Sequence, residues 1–221
     1  MKNESSRKTN GLRKAVSTLP PGYAQQAVVN LSQSLGFVVA ATLAGIVLLV
    51  TTGWLLVQFT HSLRPEALAG IGLGDIMTPA DNGFAINLPL GLIRDFVLAV
   101  ILSLVIHELV HGLFFWLFSG RRPRFGVRGL LLYAAAPEGV YFPRNQYLIV
   151  GIAPLLSLTL LGLLLIPIAP APLVPILLFF VWFNVAGSAG DVLVVIWLLS
   201  FSADTVMEDS GIATIVYGPA E

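Results

Sequence analysis

The residues with the clearest chemical potential are two histidines and a glutamate in one short motif. Residues 107–112 read His-Glu-Leu-Val-His-Gly. On a helix, positions i and i+4 share a face, so His107 and His111 can present two imidazoles to one metal ion. Glu108 lies beside them and could act as a general base. The alternative is a pair of histidines that hydrogen bond between membrane helices.

A zinc site with an open position for water needs a third protein ligand. The best candidate is Asp191, a carboxylate in an otherwise apolar segment. Asn184, Gly187, Ser188 and Asp191 follow the i, i+3, i+4, i+7 spacing of one helix face. The alternative for this stripe is close helix packing with a hydrogen-bonded acid.

Three other residues could supply the third ligand, but each has a simpler explanation. Glu138 and Glu208 lie outside the apolar segments, and Glu138 falls in a Pro-Glu-Gly turn. His61 is the remaining histidine and follows an apolar segment, where an interfacial position is expected. We therefore expect Zn2+ to be bound by His107, His111 and Asp191.

Composition defines the class of protein that must position these residues. The chain has 221 residues, of which 56% are hydrophobic and 11% charged, with a net charge of +0 and no cysteine. Soluble domains carry about 25% charged residues. This composition argues against disorder, a basic nucleic-acid-binding domain and a disulfide scaffold, and it excludes a cysteine zinc site. It indicates an integral membrane protein.

Four stretches are long and apolar enough to cross a bilayer, which needs about 20 residues per helix. We predict an all-α polytopic membrane protein with about four transmembrane helices, at residues 36–59, 96–118, 147–168 and 173–199. The domain organisation follows: a basic N-terminal tail at 1–35, a four-helix transmembrane domain with the histidine motif at 36–200, and a C-terminal tail at 201–221.

Lysine and arginine counts predict the orientation in the cell membrane. Five fall in residues 1–35 and five in residues 119–146, whereas Arg64 alone falls in residues 60–93. Both termini and the connection at 119–146 are therefore expected in the cytoplasm. Residues 125–142 are rich in β-forming residues around the Pro-Glu-Gly turn, and we predict a small cytoplasmic β-hairpin there between the second and third helices.

The predicted topology also allows a check on depth. His111 lies seven residues before Phe118 and Asp191 lies eight before Leu199. At 1.5 Å per residue these positions are about 10 and about 12 Å from the cytoplasmic ends of their helices. Both side chains should therefore reach the same level of the bilayer.

These motifs resemble those of the putative zincin peptidases, small bacterial and archaeal membrane proteins related to site-2 proteases. The resemblance rests on the histidine motif in one transmembrane helix, with Asn184 and a Gly-Ser-Ala-Gly run before Asp191 in a later one. It covers most of residues 90–200. Site-2 proteases proper usually have glycine after the aspartate, whereas Val192 follows it here.

The resemblance implies zinc held by His107, His111 and Asp191, with Glu108 as the base and Asn184 holding the substrate or the oxyanion. It also implies that a substrate pairs with cytoplasmic β structure as an added strand. We expect an intramembrane zinc metalloprotease acting on a membrane protein or peptide, with the lipid bilayer and no nucleic acid as partner. The alternative is a non-proteolytic metal-binding membrane protein: a sensor, a pseudo-enzyme or a transporter. A purely structural scaffold is a further possibility.

Overall fold

The computed structural model describes residues 14–30, 33–69, 77–80, 83–129 and 131–220. The predicted orientation depends partly on Lys2, Arg7, Lys8 and Arg13, which lie outside the described residues.

Four helical segments of the described chain are long and apolar enough to cross a membrane. They are α1 (Leu35–Leu63), α3 (Leu90–Ser119), α4 (Arg144–Leu165) and a composite segment from Ala171 to Leu198. A short helix, α2 (Pro65–Ala69), follows α1. The described residues thus contain the predicted number of helices that are long and apolar enough to cross a membrane.

The composite segment is not one continuous helix. It consists of a 3₁₀ turn (Ala171–Leu173), α5 (Val174–Gly187) and α6 (Ala189–Leu198), with a break at Ser188. Glycine has low helix propensity, and the Ser188 hydroxyl bonds to the Asn184 carbonyl at 2.7 Å. The stripe that the sequence placed on one helix is thus divided, with Asp191 in the first turn of α6.

The structure contains more β structure than the single hairpin expected in an all-α fold. A four-stranded antiparallel sheet has the order β1-β8-β7-β6. Its strands are β1 (Tyr23–Asn30), β6 (Phe142–Pro143), β7 (Val206–Asp209) and β8 (Ala213–Pro219), and two hairpins are formed by β2 (Met77–Ala80) with β3 (Gly83–Ile86) and by β4 (Arg124–Arg128) with β5 (Leu131–Ala135). The segments expected as tails, 1–35 and 201–221, therefore contribute three of the four strands of this sheet.

The hairpin between α3 and α4 has a different turn from the one that the sequence suggested. β4 and β5 pair from Arg128 with Leu131 to Arg124 with Ala135, and Gly129 has the positive φ of 62° that favours glycine. The Pro137–Gly139 segment does form a turn, closed by Val140 N–H to Pro137 O at 3.2 Å. The residues after that turn pair with β7 instead of with this hairpin.

The chain forms two compact units. The first comprises Met1–Ala40, Glu108–Ala153 and Gly190–Glu221, and its core includes Phe115, Phe142, Met207 and Val216. The second comprises Ala41–His107 and Pro154–Ala189. Helix α3 is continuous across the boundary between His107 and Glu108.

Candidate metal centre

His111 lies buried in the first unit beside Asp191. Its Nδ1 atom is 2.9 Å from the carbonyl oxygen of Val150 on α4. A carbonyl can only accept a hydrogen bond, so Nδ1 carries a proton and Nε2 is the ring nitrogen left to bind a metal. Nε2 lies 3.6 Å from Asp191 Oδ2. Two ligand atoms on a tetrahedral zinc ion lie about 3.4 Å apart, so this pair has the spacing that zinc requires.

The Val150 carbonyl is available to accept a hydrogen bond from His111 because α4 contains a proline. An α-helical carbonyl normally accepts from the N–H of the residue four positions later. That residue is Pro154, which has no N–H. This role of Pro154 was not predicted from the sequence, although a proline within an apolar span is a usable signal.

His107 is held in the equivalent way within the second unit. Its Nδ1 atom is 3.1 Å from Asn184 Oδ1. The Asn184 amide is fully buried, and its Nδ2 donates to Pro154 O at 3.3 Å and to Thr159 Oγ1 at 3.2 Å. Since both of these atoms can accept, the amide oxygen faces His107. His107 Nδ1 then donates to this oxygen, and Nε2 is the ring nitrogen left to bind a metal.

The two histidines are related by an unbroken helix. Because α3 runs from Leu90 to Ser119, His107 precedes His111 by one helical turn on the same face. With Asp191 they form a group of side chains that could hold a metal ion. Zinc-binding histidines generally donate their other ring N–H to an oxygen acceptor, as both do here. The donor set therefore fits zinc.

Glu108 contacts the hairpin β4–β5. Its Oε2 atom accepts a hydrogen bond from the N–H of Ala134 in β5 at 2.6 Å. The glycine that ends the motif allows the same hairpin to approach α3, because a Cβ at Gly112 would overlap the ring of Phe125. The hairpin thus packs directly against the helix that carries the motif.

A cavity of about 220 Å³ in the first unit brings these residues together. Glu108, His111 and Asp191 line it, and β5 contributes Leu132, Tyr133 and Ala134. The C-terminal hairpin β7–β8 contributes the other lining residues of interest: Asp209, Gly211, Ile212 and Thr214. This contribution was not predicted from the sequence, although residues 214–217, Thr-Ile-Val-Tyr, are all β-forming residues.

The turn of the C-terminal hairpin is anchored to α4 by Tyr147. The Tyr147 hydroxyl donates to the Asp209 carboxylate and lies 2.9 Å from Thr214 Oγ1. Asp209 Oδ1 accepts from the Gly211 N–H at 2.6 Å. Burial raises the pKa of the Asp209 carboxyl above its ordinary value. These bonds fix one wall of the cavity.

The three rival ligands have other surroundings. His61 is exposed in the last turn of α1. The Glu138 side chain is 88% exposed and lies 4.0 Å from Arg124. Glu208 Oε2 accepts a hydrogen bond from the Tyr217 hydroxyl at 3.0 Å. Among the described residues, the group that could hold a metal ion with the two histidines contains Asp191 and none of these three.

Zincin-type metallopeptidases use two histidines one helical turn apart, with a glutamate directly after the first. The same side chains are found here, and a carboxylate lies beside the second histidine. Residues 100–206 match the family model described as putative zincin peptidase, and this match supports the family that the motifs indicated. Neither a curated protein nor a solved structure matches the chain. The match ends at Val206, so the cavity-lining residues of the β7–β8 turn lie outside it.

Proposed function

We propose that the protein is an intramembrane zinc metalloprotease of the site-2 protease-like type. It hydrolyses peptide bonds in or near membrane segments of a membrane protein or peptide substrate. The observation that carries this proposal is the 3.6 Å distance between His111 Nε2 and Asp191 Oδ2. These residues are far apart in the sequence, and their types and positions alone suggested that they share a metal.

His107, His111 and Asp191 are the residues that would hold zinc. When bound, zinc supplies Lewis acidity that polarises a scissile carbonyl and lowers the pKa of water toward about 7. Asn184 Oδ1 and Val150 O keep the two imidazoles in the tautomer that presents Nε2. The orienting contact of Asn184 is an alternative to the substrate-binding or oxyanion role that the family resemblance implies.

Glu108 is the proposed general base. Its carboxylate takes a proton from the attacking water and later delivers it to the leaving amine. The half-buried position of Glu108 in the cavity, next to His107 in the sequence, supports this role. Because a helical peptide bond is shielded by its own hydrogen bonds, the substrate must unwind locally and pair its backbone with a strand edge.

The proposed setting is the cell membrane with both termini in the cytoplasm. The four-stranded sheet supports termini on one side, since its strands come from before α1, between α3 and α4, and after α6. An even number of candidate spans separates each of these segments from the next. The arginines at 119–146 favour the cytoplasmic side.

The test compares Glu108→Gln with wild type in liposomes that contain a membrane-helix substrate. Substrates are first identified from membrane proteomes with and without the active protein. Glu108→Gln keeps the shape but cannot accept the proton, so zinc content should be unchanged while hydrolysis falls by about 10²–10⁴. Glu138→Gln is the matched control, because that side chain is exposed, and it should keep full activity.

Two outcomes would overturn the proposal. Wild type without stoichiometric zinc would exclude the metal site. Identical cleavage and identical membrane proteomes for wild type and Glu108→Gln, with zinc bound to both, would leave the non-proteolytic metal-binding alternative.

A further inference from the structure

We propose that the backbone N–H of Ala134 is a positioning group for Glu108, so that strand β5 sets the orientation of the base. The inference rests on the proposed function for the role of Glu108 and goes beyond it in assigning what orients that side chain. The observation is the 2.6 Å hydrogen bond from Ala134 N–H to Glu108 Oε2. A backbone donor to a carboxylate is a charge-assisted bond, about twice as strong as a neutral one.

The register of the hairpin shows that this N–H lies on the edge of β5 that faces away from β4. In an antiparallel pair, successive residues of a strand direct their N–H groups alternately toward and away from the partner. Ala134 is paired with Phe125 in the register, but its N–H donates to Glu108. This N–H group therefore points away from β4. Two residues earlier, the N–H of Leu132 points to the same edge.

Contacts other than the Glu108 bond hold both strands of the β4–β5 hairpin in place. On β4, Phe125 occupies the space that Gly112 leaves on α3. On β5, the ring of Tyr133 occupies the space that Gly211 leaves in the β7–β8 turn. The strand is therefore the fixed partner, and the glutamate is the flexible side chain that it orders.

This arrangement links the base to the edge where the proposed function places the substrate. An extended peptide pairing with β5 would meet Leu132 N–H on the edge that carries Ala134 N–H. One strand would thus align both the peptide and the carboxylate. Loss of the Ala134 N–H should therefore slow the chemical step, whereas loss of the Leu132 N–H should weaken substrate binding.

The test compares Ala134→Pro with Leu132→Pro. Proline removes one N–H in each variant, and because both groups face away from β4, the ladder of the hairpin is retained. Misplacing a catalytic group by about 1 Å can cost about 10²-fold. Ala134→Pro should therefore lower kcat by about that factor with little change in KM. Leu132→Pro should raise KM with little change in kcat, and both variants should retain zinc.

A second measurement does not depend on activity or on the proline variants. In the full-length protein labelled with ¹⁵N-alanine, hydrogen exchange is followed at the Ala134 and Ala135 amides in wild type and Glu108→Ala. Exchange at Ala134 should accelerate about tenfold or more in Glu108→Ala, because its acceptor is lost. The amide of Ala135, which faces β4, should be unaffected and serves as the internal control.

The outcomes separate this inference from the proposed function. If exchange at Ala134 is indifferent to Glu108→Ala, or if the two proline variants change kcat and KM alike, the positioning role is wrong. If wild type cleaves nothing but Ala134 exchange depends on Glu108, the peptidase proposal fails and the positioning contact stands.

Discussion

Replacing Asn184 by alanine distinguishes two roles for this residue. The family resemblance implies that Asn184 holds the substrate or the oxyanion, whereas in the structure its Oδ1 lies 3.1 Å from His107 Nδ1. Asn184→Ala removes the acceptor that fixes the His107 tautomer. Loss of such an orienting partner typically weakens metal binding by 10–100-fold. This corresponds to about 1.4–2.7 kcal/mol of zinc-binding free energy.

The assay is zinc affinity measured by competition with a chelator in detergent at fixed pH. Thr159→Val is the graded control, because it removes an acceptor of Asn184 Nδ2 while leaving the contact with His107 in place. We expect a loss of zinc affinity below about threefold for this variant, since it acts on His107 only through Asn184. The melting temperature of each variant is measured alongside, since Asn184 is fully buried.

The opposite pattern would refute the reasoning. If Asn184→Ala binds zinc within about threefold of wild type but cleaves substrate more slowly, the residue acts on the substrate. The hydrogen bond to His107 would then contribute nothing measurable to the metal centre.

Two further predictions concern packing and topology. Gly162→Ala should place a methyl group against the fully buried, β-branched Val181 and lower the free energy of unfolding by about 1–3 kcal/mol, seen as a lower melting temperature. Gly91→Ala is the control and should leave the melting temperature unchanged, because a Cβ at Gly91 meets no atom within 4 Å. Reporter fusions after Arg128 and Asn87 should give cytoplasmic and exterior signals respectively, and an exterior signal at Arg128 would contradict the orientation.

The parts of the fold that sequence could predict are those set by local composition. Long apolar stretches identify membrane helices because the bilayer requires them, wherever the rest of the chain lies. Strand β1 is different, since its pairing with β8 joins Tyr23 to Pro219 across 196 residues. Nothing in either segment alone specifies a partner so distant, and the β structure was therefore underestimated.

The candidate site also has residues that the sequence could predict and orienting groups that it could not. His107 and His111 could be paired from their spacing, and Asp191 stood out because a carboxylate in an apolar segment is costly unless it has a function. The orienting groups could not be found so easily. Val150 O and Ala134 N–H are backbone atoms, which any residue type supplies, and only the tertiary structure shows where they point.

The long-range pairing of β1 with β8 has a consequence for biogenesis. Ribosomes add about 5–20 residues per second, so β1 waits about 10–40 s after its own synthesis for its partner strand. The turn with Asp209 and Thr214, which lines the cavity, is also made only after α6. A nascent chain therefore has its candidate metal ligands before the cavity wall exists. Full assembly of the cavity must await synthesis of the segment that follows α6.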